Sequence, residues 1–377
     1  MILHLVHDDK VVPRMIKLFD EYCPSNNIFV CVTRKKHKSQ LRFLKDSNII
    51  LSYSREAQKL PWDKIEKICI HYLDIHKILF LYTHRSPIHI KKIKIIWFMW
   101  GGDIYEYLER RGFHQYSENN SFRHIKTSYP KIFGVKSVDN CLGYIIFNLI
   151  SDIVLKYFYT YRINYIVSSI EEFNLFESYI HFTNFKELLE FSYYSIEDTI
   201  GILANCHVSG NGVMIGNSAS PSNNHEYIYE YIKKLDFSDK RIFLPVSYGR
   251  EEKYLLKVYE KYSNIHNVSF LNDFLPLDSY NELMTNCTTF IYGNFRQEAW
   301  GNILIALYLG GKVYLSKYSP LFDYCKRLGF VLFTLEDIRL NFDRSLSDNE
   351  KNHNKNISLK EFSRKKNEIN IKYINNI

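Results

Sequence analysis

Short apolar runs recur along the whole chain, and each is followed by a polar or helix-like stretch. The runs are rich in β-branched and aromatic residues, a composition typical of buried strands. Strands that alternate with helices predict parallel sheets with right-handed crossovers. The predicted strands are Ile2–Val6, Ile28–Val32, Ile49–Tyr53, Lys67–Tyr72, Ile78–Tyr82, Ile95–Met99 and Asn164–Ser168 in the first half, and Val213–Ile215, Arg241–Val246, Val268–Leu271, Thr289–Tyr292, Lys312–Leu315 and Val331–Phe333 in the second.

The pattern weakens between Ser192 and Cys206 and then restarts, which predicts a linker between two domains. A chain of 377 residues is too long for one ordinary core and suits two domains of similar size. We predict an α/β protein with a Rossmann-like domain over residues 1–200 and another over residues 201–345. Such domains bind ligands at the carboxyl ends of their strands, in a cleft. We hypothesise that the polar segment 346–377 contains a helix that packs on the first domain.

One long stretch, Leu142–Tyr161, has apolar residues at helical spacing with Asp152 and Lys156 among them. This pattern predicts a helix. Two interpretations stay open: the helix belongs to the core of the first domain, or its apolar stripe lies on a membrane face.

Composition and charge narrow the class of protein. Hydrophobic residues make up 46% of the chain, and the formal net charge of +8 is compatible with phosphorylated substrates or a membrane surface. No nucleic-acid-binding motif occurs. Seven scattered cysteines without a Cys-x-x-Cys pair indicate reduced thiols, and no histidine spacing indicates a metal site. The apolar start reads as a strand, and no apolar run is long enough to predict a membrane-spanning helix.

The first candidate motif is Trp97–Glu106, where an apolar strand ends in Gly101 and Gly102 before a carboxylate. Glycines let a substrate approach the backbone closely. Asp103 could take a proton from an acceptor hydroxyl as a general base. It could equally be the N-cap of the next helix, and Glu106 would then be its capping-box partner.

The second motif runs from Val213 to Glu226. A strand leads through Gly216 and small polar residues to Ser220-Pro221, which predicts that a helix begins there. A helix N-terminus reached through such a loop is a natural diphosphate site, although ordinary strand-to-helix turns look similar.

The third motif runs from Phe290 to Asn302, where a strand ends in a polar turn that opens a helix. Arg296 could offset the charge of a diphosphate, and Gln297 and Glu298 could bind sugar or ribose hydroxyls. An ordinary loop with a surface arginine is the alternative. Tyr248 and Arg250 follow another strand, and His4, His7 and Asp8 lie near the end of the first strand, where they could contact an acceptor.

Together these motifs resemble the 4-alpha-L-fucosyltransferase family, glycosyltransferase family 56. The matching residues are Trp100–Glu106, Ile215–Ser218, Ser222, Asn223, His225, Pro245–Tyr248, Tyr280, Leu283, Cys287, Arg296, Gln297 and Gly301. The segment Arg296–Gly301 departs from the Arg-Gln-Gln-Gly-Ile-Gly that is common in the family. The resemblance spans residues 97–322 and is weak over the first third of the chain.

The resemblance implies a GT-B fold, with two Rossmann-like domains whose parallel sheets face a central cleft. It implies an inverting, metal-free and cofactor-free transfer of an N-acetyl-fucosamine-type sugar from a TDP-sugar to an undecaprenyl-diphosphate-linked glycan. The enzyme would be peripheral on the cytoplasmic face of the bacterial inner membrane. The expected base is Asp103, with Glu106 as the alternative. The expected acceptor-side residues are His7, Asp8, Gly101 and Gly102. The expected donor-binding residues are Gly216, Asn217, Ser218, Tyr248, Arg250, Arg296, Gln297, Glu298, Gly301 and Asn302.

Two other functions stay open. One is a GT-B glycosyltransferase that uses a UDP- or GDP-sugar in O-antigen or capsule assembly. The other is a non-catalytic protein that binds sugar nucleotides or acts as a scaffold. The retaining class with a Glu-x7-Glu motif is disfavoured, because Ala306 stands eight residues after Glu298.

Overall fold

The computed structural model describes residues 1–123, 141–180, 186–193, 195–249 and 251–377, with the backbone alone at 141–148, 202 and 277. Its strands are β1 (Ile2–Val6), β2 (Asn27–Cys31), β3 (Ile50–Leu51), β4 (Lys67–His71), β5 (Lys94–Phe98), β6 (Tyr165–Val167), β7 (Glu187–Leu189), β8 (Gly212–Ile215), β9 (Ile242–Pro245), β10 (Val268–Leu271), β11 (Cys287–Tyr292), β12 (Lys312–Leu315) and β13 (Phe333–Thr334).

Helices of eight or more residues alternate with these strands. They are α1 (Val12–Tyr22), α2 (Ile75–His84), α3 (Gly102–Glu109), α4 (Cys141–Tyr161), α5 (Ile170–Ile180), α6 (His225–Ile232), α7 (Glu252–Tyr262), α8 (Leu277–Thr285), α9 (Trp300–Tyr308), α10 (Pro320–Leu328), α11 (Asp348–Glu361) and α12 (Arg364–Asn376). Shorter helices cover Arg55–Gln58, Pro87–Ile90, Ile196–Ile200 and Ile338–Asn341.

The chain divides into two compact units. The first contains Met1–Arg111, the described residues from 141 to 193, and Lys365–Ile377. The second contains residues 112–123 and the described residues from 195 to Arg364. Each unit therefore includes a segment that is distant in sequence from the rest of it.

The first unit is built on a seven-stranded sheet in the order β3-β2-β1-β4-β5-β6-β7, and every pairing is parallel. Its central strands are apolar along nearly their whole length and buried, as expected when helices cover both faces of a sheet. Helix α12 packs on this unit through Ile371 and Ile374, which are buried with the side chains of α1.

The second unit is built on a six-stranded parallel sheet in the order β10-β9-β8-β11-β12-β13. Helix α9 is buried along most of its length and packs in the core with β11 and β12. The predicted α/β class with two parallel sheets is confirmed.

Two local predictions are wrong. The segment Ile78–Tyr82, predicted as a strand, lies in helix α2, which begins after Asp74 accepts a hydrogen bond from the backbone N–H of Lys77. A short apolar run does not by itself distinguish a strand from a buried helical turn. The helix predicted at Ser220-Pro221 begins only at His225, because a 3-10 turn and a left-handed residue intervene.

The helix predicted over Leu142–Tyr161 is confirmed as α4, and it presents two apolar faces. Leu155, Phe158 and Tyr159 are buried in the first unit. The opposite face exposes five large apolar side chains, those of Leu149, Ile150, Ile153, Tyr157 and Tyr161. Throughout the part of the chain that the structure describes, no helix combines the length and apolar character needed to cross a membrane.

Candidate functional site

Each sheet has one position where the order of its strands reverses. In the first unit this point lies between β1 and β4, and in the second it lies between β8 and β11. In open parallel sheets the loops on either side of this point separate at the carboxyl ends of the strands and leave a crevice, where ligands bind. The motifs that follow β1, β8 and β11 all lie at these two crevices.

The loop after β8 requires glycine at its first position. Gly216 has a φ of 69°, and a Cβ there would lie 2.7 Å from His225 Nε2 and 2.9 Å from Asn223 Oδ1. Asn223 braces the loop, because its Oδ1 accepts from the backbone N–H of Asn217 at 2.9 Å and its Nδ2 donates to Ser218 Oγ at 2.9 Å. The loop is therefore held in one shape with its backbone close to the following helix.

Asn224, in the left-handed conformation, joins this loop to two distant segments. Its Nδ2 donates to the carbonyls of Gln115 and Gly293, and its Oδ1 accepts from the backbone N–H of Ser117 at 3.0 Å and from Asn120 Nδ2 at 2.7 Å. All of these atoms are buried. Residues 112–123 are thereby attached at the β8/β11 crevice, a contact that the sequence analysis missed and that no local pattern signals.

Glu298 organises the loop after β11. Its Oε2 accepts from Ser222 Oγ at 2.7 Å, Asn294 Nδ2 at 3.0 Å and Arg296 Nε at 3.0 Å. Arg296 also donates to Gln115 Oε1 at 2.9 Å. The guanidinium of Arg296 is therefore held at the crevice by a carboxylate, which offsets part of its charge.

The other donor-side residues divide into three groups. Tyr248 lies with the glycine loop, because its hydroxyl accepts from Asn217 Nδ2 at 3.0 Å. Gly301 and Asn302 lie in the first turn of α9, and Gln297 is half-buried in the loop before it. Arg250 lies outside the described residues.

Four buried polar atoms at this crevice have no hydrogen-bond partner among the described residues: His225 Nε2, Asn217 Oδ1, Tyr292 Oη and Asn294 Oδ1. Buried polar groups in proteins are normally satisfied, so each of these atoms is a position where a ligand or water would bond. Burial lowers the pKa of His225 to about 3, so its ring is neutral near pH 7. The crevice thus offers neutral hydrogen-bonding groups around a glycine loop.

The β1/β4 crevice of the first unit is lined differently. The ring of His7 lies 4.9 Å from that of Tyr72 and 5.1 Å from that of Trp100, and its Nδ1 is buried without a hydrogen-bond partner among the described residues. Burial, reinforced by the charge of the buried Lys77, lowers the pKa of His7 to about 4. Lys77 itself is paired with Asp74 at 2.8 Å. Near pH 7, the ring of His7 is therefore neutral.

Asp8 is expected on the acceptor side, but its carboxylate is hydrogen-bonded to the loop after β2. It accepts from the backbone N–H groups of Arg42, Phe43 and Leu44 at 2.7 to 3.2 Å and from Lys35 Nζ at 3.0 Å. Burial raises the pKa of Asp8, but these hydrogen bonds outweigh it and hold the pKa below its ordinary value. Asp8 therefore shapes a loop beside His7.

Asp103 is buried and accepts three hydrogen bonds. They come from the backbone N–H of Leu73 at 3.0 Å, Trp97 Nε1 at 2.8 Å and the backbone N–H of Trp100 at 3.0 Å. Burial raises its pKa to about 6, although the hydrogen bonds oppose the shift. The carboxylate ties the start of α3 to β5 and to the loop after β4, which is a structural role. The N-cap interpretation of Asp103, with Glu106 as its capping-box partner, is wrong, because Gly101 holds the N-cap position and no side chain caps the helix.

The neighbours of Asp103 complete this turn. Gly101, with a φ of 77°, occupies the N-cap position of α3. A Cβ at Gly102 would lie 3.0 Å from the ring of Tyr72, so the absence of a side chain at Gly102 leaves room for that ring in the crevice. Glu106 is exposed and has no recorded hydrogen bond or ion pair among the described residues.

A buried chain of hydrogen bonds, also missed from the sequence, runs beneath this crevice. Asn27 Oδ1 bonds to His4 Nε2 at 3.2 Å, His4 Nδ1 to His71 Nε2 at 3.0 Å, and His71 Nδ1 to the hydroxyl of Tyr193 at 2.6 Å. Trp100 Nε1 donates to the same hydroxyl at 3.3 Å. Asn27 Nδ2 donates to backbone carbonyls, so its Oδ1 accepts from His4 Nε2–H. His4 Nδ1 then accepts from His71 Nε2–H, and His71 Nδ1 accepts from the hydroxyl of Tyr193. Both histidines are neutral, and the chain supports the Trp100 side chain against His7.

The site residues expected from the sequence therefore fall into two groups. Of the expected donor-side residues, hydrogen bonds connect Asn217 to Tyr248 and Arg296 to Glu298 at the β8/β11 crevice of the second unit, where Gly216 and Ser218 also lie. Gln297, Gly301 and Asn302 lie just before or in the first turn of α9. The catalytic and acceptor-side residues lie in the first unit, around the carboxyl ends of β1, β4 and β5. No group of three or more His, Cys, Asp or Glu side chains arranged to hold a metal ion occurs in the described ranges.

No protein-family model matches the chain, and no curated protein matches it. Solved structures do share its fold. A glycosyltransferase from Rickettsia africae superposes with a TM-score of 0.63 at 11% identity, over 99% of this chain and 97% of that one. HepE of Anabaena, in complex with UDP and glucose, superposes with a TM-score of 0.62 at 11% identity, over 100% of this chain and 99% of that one.

A trehalose-6-phosphate synthase, studied for glycosyl transfer with retention, superposes with a TM-score of 0.57 at 11% identity, over 100% of this chain and 99% of that one. At such identities the likeness establishes the fold. This fold is GT-B, with two Rossmann-like domains that each contain a parallel sheet. The expected fold class is thereby confirmed.

Proposed function

We propose that this chain is a glycosyltransferase that takes its sugar from a nucleoside-diphosphate donor. The observation that carries the proposal is the β8/β11 crevice, where a loop that requires Gly216 lies among four buried polar atoms that lack partners in the described structure. The missing side chain at Gly216 makes room for His225 and Asn223, which fix the shape of the loop. The neutral hydrogen-bonding groups around it suit sugar and ribose hydroxyls. Solved structures of HepE, which shares the fold, contain UDP and UDP-glucose, and this supports a donor of the same class.

The donor-side residues have separable roles in this proposal. Gly216, Asn217 and Ser218 present loop backbone and polar side chains to the diphosphate. Arg296 supplies positive charge to the leaving group from a fixed position, because Glu298 holds it. Gln297, Gly301 and Asn302 border the sugar, Tyr248 supports Asn217, and Arg250 is a further candidate cation for the diphosphate.

The acceptor hydroxyl must lose a proton, and the first unit offers two candidates to take it. His7 has a free, neutral Nδ1 at the β1/β4 crevice. Asp103 has its oxygens engaged by three donors. We favour His7 as the general base, because a base needs an unoccupied lone pair within reach of the substrate. Asp103 then positions the turn that carries Trp100, and Glu106 has no part in the reaction.

The finer assignment follows the resemblance to glycosyltransferase family 56. The donor is then a TDP-linked deoxyamino sugar of the N-acetyl-fucosamine type, the acceptor is an undecaprenyl-diphosphate-linked glycan, and the configuration is inverted. The segments Trp100–Glu106 and Ile215–Ser218, with Asn223 and His225, support this assignment. The trehalose-6-phosphate synthase that shares the fold transfers with retention. The stereochemistry of the product is therefore part of the test.

A lipid-linked acceptor places the enzyme at a membrane surface, as a peripheral protein on the cytoplasmic face. The exposed apolar face of α4, with Leu149, Ile153 and Tyr157 at successive turns, supports this location. Co-sedimentation with vesicles tests it: replacing Ile153 and Tyr157 with Asp should abolish vesicle binding and leave TDP binding intact. Unchanged vesicle binding would remove the support that α4 gives.

The nucleotide is tested by thermal shift against TDP, UDP and GDP. A ligand that binds only the folded state raises the melting temperature, so TDP should shift it and the other two should shift it less. A larger shift with UDP would favour the alternative of a UDP-sugar donor. An equal response to all three, or none, would contradict a nucleotide-specific crevice.

Transfer is tested with TDP-N-acetyl-fucosamine and a synthetic undecaprenyl-diphosphate-linked glycan. His7→Ala should lower kcat by about a hundredfold or more and keep the thermal shift with TDP. Glu106→Ala is the matched control, a carboxylate removed from the exposed side of α3, and should keep full activity. If His7→Ala transfers at the wild-type rate, His7 is not the base. If the wild type transfers nothing from any nucleotide sugar while binding TDP, the chain is a binding protein.

A further inference from the structure

The strongest charge asymmetry of the first unit lies in the loop after β2. Residues 34–45, which we call the basic loop, contain six Lys or Arg residues in twelve and no Asp or Glu. These six are Arg34, Lys35, Lys36, Lys38, Arg42 and Lys45. Runs of like charge on protein surfaces often bind only water. Whether the basic loop binds a ligand therefore depends on its shape and on its position in the fold.

The basic loop is held in a defined shape by two side chains. Asp8 accepts the backbone N–H groups of three consecutive residues, Arg42 to Leu44, and also binds Lys35 Nζ. Gln40 Oε1 accepts the backbone N–H groups of Lys36 and His37 at 3.0 and 3.2 Å. These two side chains thus accept five backbone N–H groups of the loop and hold its shape without a bound partner.

The ordered backbone leaves cationic side chains at the surface. Arg34, Lys36, Lys38 and Arg42 are exposed, and none of them has a recorded ion pair among the described residues. Arg42 extends over the ring of Phe43, with its guanidinium carbon 5.0 Å from the ring centroid. Their charges are therefore available to an anion from solution.

The position of the basic loop is that of a ligand site. Strand β2 lies beside β1 in the parallel sheet, so the loop emerges at the same edge as His7. Asp8, which anchors the loop, is the next residue after His7. This is the edge of the sheet at which α/β proteins bind ligands.

We propose that the basic loop is the site at which the acceptor's diphosphate binds, and that Asp8 is the positioning residue that presents it. This inference rests on the proposed function, which supplies an acceptor that carries a diphosphate. A sugar without charge gives no reason for several unpaired cations, whereas a diphosphate bonds to Lys and Arg through charge-assisted hydrogen bonds. The loop would hold the acceptor by its charged group and leave its hydroxyl at His7.

Binding of geranyl diphosphate, measured by calorimetry in saturating TDP that occupies the β8/β11 crevice, tests the site. The variant K36Q/K38Q/R42Q should bind about tenfold or more weakly than wild type, and wild-type binding should weaken as salt is added. The matched control is K64Q/K91Q/K92Q, which removes the same charge from exposed residues that precede β4 and β5, at the opposite edge of the same sheet. Its affinity should be unchanged. Equal affinity of both variants would overturn the proposal.

Asp8→Ala provides a second measurement, because it keeps every cation and releases the loop from its anchor. It should also weaken binding of geranyl diphosphate, by a smaller factor than the triple variant, with an unchanged circular dichroism spectrum. Wild-type affinity in Asp8→Ala would overturn the positioning role.

Vesicles of phosphatidylglycerol and phosphatidylcholine separate the acceptor's diphosphate from a lipid headgroup. If K36Q/K38Q/R42Q loses vesicle binding but keeps its affinity for geranyl diphosphate, the loop binds headgroups and the proposal is overturned. The thermal shift with TDP, measured on the same samples, reports on the second unit alone. Its absence would contradict the proposed function, while the two triple variants would still decide whether the basic loop binds a diphosphate.

Discussion

The β1/β4 crevice of the first unit and the β8/β11 crevice of the second lie at the same topological position in two parallel sheets. The second crevice is formed by a glycine loop, asparagines and serines, and its free polar atoms are neutral. The first is formed by His7, Tyr72 and Trp100 above a chain of buried histidines, with a cationic loop at its edge.

This difference shows that the topology locates a site and the residues at the strand ends decide its chemistry. A glycine loop among neutral donors and acceptors suits ligands that carry many hydroxyls. A neutral imidazole and aromatic rings beside a cationic loop suit a ligand that carries negative charge. Each of the following measurements changes one crevice and leaves the other as an internal reference.

The largest effect is expected in the first unit. Asp103→Ala should lower the free energy of unfolding by about 4 kcal/mol, because three buried donors would lose their acceptor. Urea unfolding measures it. Glu106→Ala, on the exposed side of the same helix, should change stability by less than about 0.5 kcal/mol. If Asp103→Ala lowers the free energy of unfolding only slightly, Asp103 is not a structural carboxylate and becomes a candidate base again.

A somewhat smaller loss is expected in the second unit. Gly216→Ala should cost about 3 kcal/mol, since its Cβ would strain a left-handed backbone and meet His225 and Asn223. Gly329→Ala, which has a left-handed φ of 91° but an added Cβ that would only touch Ile357 at 3.6 Å, should cost only about 1 kcal/mol. Similar losses in the two variants would show that close packing against His225 does not set the requirement for glycine.

Acid should act more strongly on the first unit. Burial lowers the pKa of His4 to about 3 and that of His71 well below 6.5, so only their unfolded forms bind protons as the pH falls below 6.5. Stability is then present above that pH and is lost as the pH falls, by about 1.4 kcal/mol per pH unit for each histidine. Urea titrations between about pH 6 and pH 5 give the slope of the free energy of unfolding against pH. This slope should be shallower in H4Q/H71Q than in wild type, by about 2.8 kcal/mol per pH unit. His225→Gln should reduce the slope by half of that, and equal reductions would contradict the difference between the units.

The smallest effect concerns Ala299, which precedes α9 with a φ of 64°. Ala299→Gly should stabilise the second unit by about 0.5 kcal/mol, because relief of the left-handed strain slightly exceeds the entropy that glycine adds to the unfolded chain. Ala299→Val is the opposite change and should destabilise. A loss of stability in Ala299→Gly would mean that the methyl group packs too well to be removed.

Much of the fold could be predicted from the apolar runs. Strands buried on both faces by helices need nearly continuous apolar residues, so β1, β5, β8 and β12 are visible in the sequence. Ile78–Tyr82 was assigned wrongly because five consecutive apolar residues fit a strand and a buried helical turn equally well. The glycine loop at Gly216 was also visible, since a strand, a glycine and small polar residues form a local pattern.

The sequence by itself determined two parallel α/β halves and which strand ends carry polar residues, because those properties depend on neighbours in the chain. Only the tertiary structure decided what those residues do. Asp103 could be a base or a structural carboxylate until Leu73, about thirty residues away, was found to donate to it. Asn224 bonds to Gln115, and His4 to His71, through atoms that the order of the strands brings together. Hydrogen bonds depend on distance in space, and a pattern along the chain does not contain that distance.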